Sequence, residues 1–300
     1  MVQHSDHEGN GIPKQLAHLL SHRLRGFPGV EHSRRALERA IRVPVPFLEI
    51  DTRVSADGVV YVYHNVQTSS DVGSKLRFSE TPSPSLDALR YTTGGSLLTL
   101  QEALALFKGR SYQDQKLCID IKDFGFEEEH LRLVREAGVE DDIVFVSWIP
   151  QSLLRLHDLG APNPLVLSHW NLHAWGKAGA LLAHALRDQQ LRLHHYVVLG
   201  ARQVTTDLGN LDHGYQHTLV CRDVPPPIRR ILASSGGGIC IHRSLVGDAV
   251  ISYWQDQALQ LWIFSVDTAK EYLRYARRPG TDVIFCDDTP AVLEALGKEA

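Results

Sequence analysis

The sequence contains only four cysteines in 300 residues, and no two of them form a CxxC pair. Each lies in or beside an apolar run, such as KLCIDI at 116–121 or GICIH at 238–242, where cysteine behaves as a small hydrophobic residue. This usage argues against a disulfide framework and against a zinc site built on thiolates. We expect four reduced, buried thiols, which suit the reducing cytoplasm.

The sequence also lacks an excess of one charge and lacks long apolar runs. Its 31 basic and 35 acidic residues are spread along the chain, so there is no basic field for nucleic acid. No stretch reaches the roughly 18 apolar residues of a membrane span, and MVQHSDHEGNGIPK has no apolar core of a signal peptide. We therefore expect a cytoplasmic protein with no nucleic-acid partner and no integral membrane segment.

Short β-branched or aromatic runs alternate with helical patterns, which is typical of βαβ units. Nine strands are predicted, one more than a (β/α)8 TIM barrel needs. We assign the extra strand to HHYVVLG, because it opens a polar, histidine-containing insertion around residues 194–225. The prediction is a flexible segment over 1–15 and a single-domain barrel over 16–300. The predicted strands cover 16–23, 46–53, 116–122, 143–148, 164–170, 194–200, 238–242, 259–266 and 282–288.

Charged residues lie near the carboxyl ends of these strands, where barrel enzymes have their active sites. Residues two apart on a strand share a face, so Glu49 with Asp51 and Asp120 with Lys122 can point inward together. Converging carboxylates repel one another unless a cation neutralises them, and oxygen ligands suit Mg²⁺ or Ca²⁺. The pattern therefore favours a site for one divalent cation.

Structural interpretations of the same residues stay open at this stage. A Glu-x-Asp pair on a strand is often part of a solvated face, although the neighbours Leu48 and Ile50 are apolar here. Asp120 with Lys122 is also the pattern of an ordinary salt bridge. A single histidine such as His22 or His64 is often a hydrogen-bonded structural residue.

Eight short motifs, in order, resemble the glycerophosphodiester phosphodiesterase family. They are SHRLRG, EHS, FLEIDTRVSADGVVYVYHN, LLTLQEAL, CIDIKD, VSW, LWIFSVD and TDVIFCDDTP, which lie between residues 21 and 290. Family members read approximately HRG, PENT, ExDxxxTxDGxxVxxHD, PTLxExL, ExK, SF, WTVN and DGIITDxP. The resemblance implies a (β/α)8 barrel that hydrolyses a phosphodiester with one divalent metal ion.

The resemblance also implies roles for individual residues. His22 and His64 match the two catalytic histidines, which we interpret as base and acid respectively. Glu49, Asp51 and Asp120 match the metal ligands. Arg23 and Lys122 match the phosphate-binding cations, and Trp262 matches a tryptophan that lines the substrate pocket. The expected partner is a small phosphodiester or a lysophospholipid.

The departures from the family pattern leave alternatives open. HRLRG is two residues longer than HRG, so Arg25 is an alternative phosphate ligand to Arg23. The shorter acid Asp120 resembles the related sphingomyelinase D branch, whose members release cyclic phosphates. A non-catalytic barrel that binds a phosphorylated ligand is the alternative of another class. His169 and His242, also at predicted strand ends, are further candidates for substrate contact.

Overall fold

The computed structural model describes residues 11–168, 170–171, 196–199, 218–221, 224, 226–243 and 246–297. The strands in chain order are β1 (Leu19–Ser21), β2 (Phe47–Val54), β3 (Val60–Val62), β4 (Lys116–Ile121), β5 (Ile143–Ser147), β6 (Leu165–Ser168), β7 (Trp170–Asn171), β8 (Tyr196–Leu199), β9 (Thr218–Cys221), β10 (Gly238–His242), β11 (Gln260–Val266) and β12 (Val283–Cys286). The helices in the described ranges are α1 (Arg34–Ala40), α2 (Ser83–Asp87), α3 (Leu100–Lys108), α4 (Glu127–Ala137), α5 (Pro150–Asp158), α6 (Pro226–Ser234), α7 (Asp248–Gln255), α8 (Ala269–Ala276) and α9 (Thr289–Ala295).

Eight parallel strands form a closed barrel. Around the barrel their order is β1, β2, β4, β5, β6, β10, β11 and β12, and β1 pairs with both β2 and β12 to close the ring. Helices lie between successive strands, as in other barrels of this architecture. The predicted (β/α)8 barrel is therefore confirmed.

The barrel strands are buried on both faces, as parallel strands covered by helices should be. In β2, every residue from Leu48 to Val54 is buried. Cys118 and Cys240 lie in a cluster inside the barrel together with valines and aromatic residues. A larger apolar cluster lies between the strands and the surrounding helices. Cys118, Cys240 and Cys286 are free and buried, as their apolar neighbours in the sequence predict.

Local sequence signals explain where several helices begin and end. A capping box begins α3, where the Thr99 hydroxyl accepts from the Glu102 backbone N–H and Glu102 accepts from that of Thr99. The N-cap of α9 is Asp288, whose side chain accepts from the Ala291 backbone N–H. Helix α4 ends at Gly138, whose φ of 65° lies in the left-handed region that glycine tolerates best.

A hairpin after β2 carries the chain back to the open end of the barrel. Strand β3 pairs antiparallel with β2, and the turn between them contains Gly58 with a φ of 90°. Ser55 Oγ donates to Asp57 Oδ1 at 2.6 Å and accepts from the Val59 backbone N–H at 2.9 Å. This turn sets the position of His64, two residues beyond the end of β3.

The predicted extra strand lies outside the barrel. Strand β8, which falls within HHYVVLG, pairs with β9 in a separate parallel sheet of order β7, β9 and β8. Most of the predicted insertion at 194–225, and His169, lie outside the described residues. None of the described helices is long and apolar enough to cross a membrane.

Candidate active site

The carboxyl ends of neighbouring barrel strands bring the predicted acids together. Glu49 and Asp51 share a face of β2, and the β2–β4 register places Asp51 beside Asp120. We call Glu49, Asp51 and Asp120 the acid cluster; their exposed fractions are 1%, 0% and 5%. The alternative of a solvated strand face is therefore wrong.

Two cations contact the acid cluster. Lys122 Nζ lies 2.6 Å from Asp120 Oδ2 and 2.8 Å from Asp51 Oδ1. Arg23 Nε lies 3.2 Å from Asp51 Oδ2, and its backbone N–H donates to Glu49 Oε2 at 2.8 Å. Arg23 has a φ of 55°, which turns its backbone N–H and its side chain toward the acids. Three carboxyl groups thus share two cations.

The protonation of the acid cluster follows from this imbalance. Burial, and then the charges of Asp51 and Asp120, raise the pKa of Glu49 well above its usual value. Burial alone would raise the pKa of Asp51, but Lys122 and Arg23 outweigh burial and hold that pKa well below its usual value. Of the three carboxyl groups, Glu49 therefore has the strongest tendency to bind a proton and Asp51 the weakest.

The donor atoms at this site fit a divalent cation. Asp120 Oδ1 is buried and has no hydrogen-bond partner among the described residues. His32, Glu49 and Asp51 each offer one ligand atom within 4.8 Å of the others. His32 was not predicted, but it stands where the family motif PENT has its asparagine. Ionised carboxylates with one imidazole suit Mg²⁺, Mn²⁺ or Ca²⁺, and metal binding would compete with protonation of Glu49.

His22 has a carboxylate partner at the Nδ1 atom of its ring. Its Nδ1 lies 2.5 Å from Asp287 Oδ1, and Ser265 Oγ donates to Asp287 Oδ2 at 2.7 Å. A carboxylate at Nδ1 favours the proton on that nitrogen and leaves Nε2 with its lone pair. Burial lowers the pKa of His22 to about 4, although the hydrogen bond to Asp287 opposes the shift. The imidazole is therefore neutral at neutral pH.

The position of His22 differs slightly from the prediction. It was predicted as part of strand β1, but that strand ends at Ser21, and His22 begins a short 3-10 turn. The β1–β12 register aligns Ser21 with Cys286, so the residues that follow, His22 and Asp287, are neighbours across the closure of the barrel. Asp287 falls near the carboxyl end of the predicted strand 282–288, a position that could have identified this pair.

His64 lies at the mouth after the β2–β3 hairpin. Its Nδ1 is 2.9 Å from Asn65 Oδ1, so the amide oxygen can accept the Nδ1 proton. Burial, and then the nearby Arg23 charge, hold the pKa of His64 well below its usual value. The Tyr63 backbone N–H donates to the Asp51 carbonyl at 2.9 Å, so His64 directly follows a residue that is hydrogen-bonded to β2 at the acid cluster.

The two arginines of HRLRG have different partners. Arg23 contacts the acid cluster, whereas Arg25 Nε donates to Glu31 Oε2 at 2.7 Å and Arg25 Nη1 donates to Asp287 Oδ1 at 3.0 Å. This arrangement favours Arg23 as the phosphate ligand, although the assignment stays a prediction. Arg25 contacts the carboxylate that also binds His22.

The aromatic side of the mouth differs from the prediction. Trp262 is 1% exposed, packs against Phe47 and Phe285 inside the barrel, and donates from Nε1 to Gln260 at the amino end of β11. We therefore do not place it at the open mouth. Phe264 follows two residues later on the same face, and FSVD matches the spacing of WTVN better than a match that begins at Trp262.

Three aromatic rings lie together near Lys122. Phe264 packs 5.5 Å from His242 and 6.4 Å from Trp148, measured between ring centroids. Lys122 Nζ lies 4.8 Å from the centroid of the Trp148 ring. His242, a predicted candidate for substrate contact, is half-buried, and burial lowers its pKa to about 4. These rings form an apolar wall beside the cations.

The fold and the site define a (β/α)8 barrel with an acid, imidazole and cation cluster at its carboxyl mouth. Solved structures of glycerophosphodiester phosphodiesterases have this fold. One from Parabacteroides distasonis is 15% identical with a TM-score of 0.61, covering 93% of this chain and 96% of its own. One from Agrobacterium tumefaciens is 16% identical with a TM-score of 0.59, covering 93% and 99%.

A further similar structure contains a bound product. It is a phosphodiesterase from Oleispira antarctica in complex with sn-glycerol-3-phosphate, 16% identical, with a TM-score of 0.62 and coverages of 94% and 97%. No protein-family model matches this sequence, and no curated protein matches it. The resemblance seen in the sequence is therefore confirmed at the level of the fold.

Proposed function

We propose that this protein is a metal-dependent phosphodiesterase that hydrolyses a glycerophosphodiester to glycerol phosphate and an alcohol. The observation that carries the proposal is the convergence of His22 and His64 with the acid cluster and its two cations at one barrel mouth. The similar structures, two described as glycerophosphodiester phosphodiesterases and one as a phosphodiesterase, support the same reaction class.

The charges at the site suit a singly charged phosphodiester. With all its carboxylates ionised, the acid cluster exceeds its two cations by one negative charge, which a divalent cation and one phosphodiester together neutralise. Glu49, Asp51 and Asp120 would hold the metal, with His32 adjacent. When bound, the metal would supply Lewis-acid stabilisation of the charge that develops on the phosphoryl oxygens.

Arg23 and Lys122 are the groups that would bind the non-bridging phosphate oxygens. A guanidinium can contact two oxygens in one plane, whereas an ammonium acts as a point charge. Both groups already lie at the acid cluster, so a phosphate bound beside it would be within their reach. These contacts stabilise negative charge better in a buried site than in water.

The two histidines would divide the proton transfers. His22 Nε2 takes the proton from the attacking hydroxyl or water, and Asp287 stabilises the imidazolium that forms. His64 gives a proton to the leaving alcohol oxygen as the P–O bond breaks. The low pKa of free His64 would rise when the phosphodiester anion binds beside it, since an opposite charge favours the protonated form.

A product assay tests this proposal. We expect phosphorus NMR to detect glycerol phosphate from glycerophosphocholine or glycerophosphoethanolamine, and much slower turnover in His22→Ala and His64→Ala. Cyclic phosphate from lysophosphatidylcholine or sphingomyelin would instead support the sphingomyelinase D-like alternative, which the short Asp120 favours. Binding of these compounds without turnover would support the non-catalytic alternative.

A further inference from the structure

The buried side chain of Arg53 joins the two loops that carry His64 and Lys122. Arg53 Nε donates to the backbone carbonyl of His64 at 2.9 Å, and Arg53 Nη1 donates to the backbone carbonyl of Lys122 at 3.3 Å. The side chain is 0% exposed. One guanidinium therefore joins the backbone of both residues.

We propose that Arg53 is a positioning residue that sets the distance between the His64 imidazole and the Lys122 ammonium. The inference rests on the proposed function, in which His64 protonates the leaving alcohol and Lys122 binds the phosphate. Arg53 itself acts through these two residues.

The position of Arg53 on β2 explains how it reaches both loops. It is the third residue in the series Glu49, Asp51 and Arg53, which share one face of the strand at two-residue steps. The β2–β4 ladder ends with Thr52 opposite Ile121, so Lys122 follows directly on the neighbouring strand. His64 lies across the antiparallel β2–β3 pair, on the other side of Arg53.

Asp123 holds the guanidinium in its orientation. Its Oδ1 accepts from Arg53 Nη1 at 2.8 Å, and its Oδ2 accepts from the Val54 backbone N–H at 2.8 Å. Because Asp123 is also buried, the pair neutralises a charge that water cannot reach. Arg53 Nη1 serves both the ion pair and the Lys122 carbonyl, whereas Arg53 Nε serves the His64 carbonyl.

Arg53→Lys separates the ion pair with Asp123 from the contacts to the His64 and Lys122 carbonyls. The lysine ammonium keeps the positive charge opposite Asp123, but it lacks the rigid fork that spans two carbonyls and a carboxylate. We therefore expect Arg53→Lys to retain the fold while the His64 and Lys122 loops lose their common support.

A matched control exists at the opposite end of the barrel. Arg110 is 8% exposed, donates to the Gln113 carbonyl at 3.0 Å and pairs with Asp142, which precedes β5. Arg110→Lys therefore changes a buried, ion-paired arginine of the same kind far from the mouth. It measures the loss of stability that such a change causes without a change at the proposed active site.

The kinetic test compares two leaving groups. A glycerophosphodiester with an alkyl alcohol needs protonation by His64, whereas a nitrophenyl phosphodiester leaves as a stable anion. We expect Arg53→Lys to lower kcat about 100-fold for the alkyl ester. For the nitrophenyl ester we expect kcat to fall only about tenfold. Arg110→Lys should leave both values close to wild type. Equal losses for both esters in Arg53→Lys, or losses matched by Arg110→Lys, would overturn the proposal.

A second measurement does not depend on activity. Nitrogen NMR of histidine-labelled protein, with His64 assigned from the signal missing in His64→Gln, reports the environment of that ring. We expect the His64 signals to shift in Arg53→Lys and to stay in place in Arg110→Lys. Unchanged His64 signals in Arg53→Lys would overturn the positioning role. A wild type inactive on both esters would contradict the proposed function, and this NMR result would still decide the role of Arg53.

Discussion

The hydrogen bond between Asp287 and His22 gives the most specific prediction for a single substitution. Asp287→Asn keeps an oxygen that can accept from His22 Nδ1 and an amide that can donate to Ser265 Oγ, so the tautomer and the ring position are retained. What is lost is the negative charge that stabilises the imidazolium formed when His22 takes a proton. The substitution therefore tests the base role separately from the placement of the ring.

The magnitude follows from the geometry. At 2.5 Å the contact is a short, charge-assisted hydrogen bond, and such bonds contribute about 1.5–3 kcal/mol. If that stabilisation is expressed in the transition state, kcat/KM falls about 10- to 150-fold, since each 1.36 kcal/mol is a factor of ten. Ser265→Ala removes only the donor to the other Asp287 oxygen, and should cost less than about fivefold.

The assay is the steady-state kinetics of glycerophosphodiester hydrolysis at saturating metal, with metal affinity measured by calorimetry. Asp287 does not belong to the acid cluster, so the affinity for metal should stay at the wild-type value in Asp287→Asn. A kcat/KM within about threefold of wild type would refute the proposed base role of His22. An equal loss of kcat/KM in Ser265→Ala would show that the loss in Asp287→Asn comes from a general disturbance of the loop.

Three further substitutions or conditions give separate tests. Glu49→Gln should lower metal affinity at least about tenfold, as calorimetry would measure. It should also raise the Tm in thermal unfolding, because the amide replaces a buried carboxyl group whose pKa is raised. Lys122→Met should lower kcat/KM about 100-fold or more and the free energy of unfolding by about 3–5 kcal/mol, since it breaks a buried ion pair; normal kinetics would contradict the phosphate role. His22 has a pKa of about 4 in the folded state, below its usual 6.5, so the unfolded state binds the proton more readily. The contribution of neutral His22 to the free energy of unfolding is therefore fully present above about pH 6.5 and is lost as the pH falls toward 4. Relative to His22→Gln in chelating buffer, the wild type should lose on the order of 3 kcal/mol over this range. An equal pH dependence of the free energy of unfolding in the two proteins, measured by urea unfolding, would contradict this.

Much of the site could be predicted because it lies on regular strands. The two-residue spacing of Glu49 with Asp51, and of Asp120 with Lys122, places each pair on one face, and the parallel register brings the pairs together. The same spacing, extended by one step, reaches Arg53, so its inward direction was also accessible from the sequence.

Other parts of the site depend on contacts that the sequence does not encode locally. His32 reaches Glu49 and Asp51 through the path of the β1–α1 loop, where it has a φ of 63°. The contact of Asp287 with His22 depends on closure of the barrel between its last and first strands. Trp262, which the motif match assigns to the substrate pocket, lies four residues before the end of β11 and packs against Phe47 and Phe285 inside the barrel.

The most direct test of the account is a single-sample measurement of glycerol phosphate release from glycerophosphoethanolamine. The protein is first treated with a chelator, then supplied with Mg²⁺ or Ca²⁺, and the phosphorus NMR spectrum is followed throughout. We expect no release in the chelated sample and release once metal is restored, with His64→Ala remaining slow under both conditions. Release that continues unchanged in the chelator, or none after metal is restored, would contradict it.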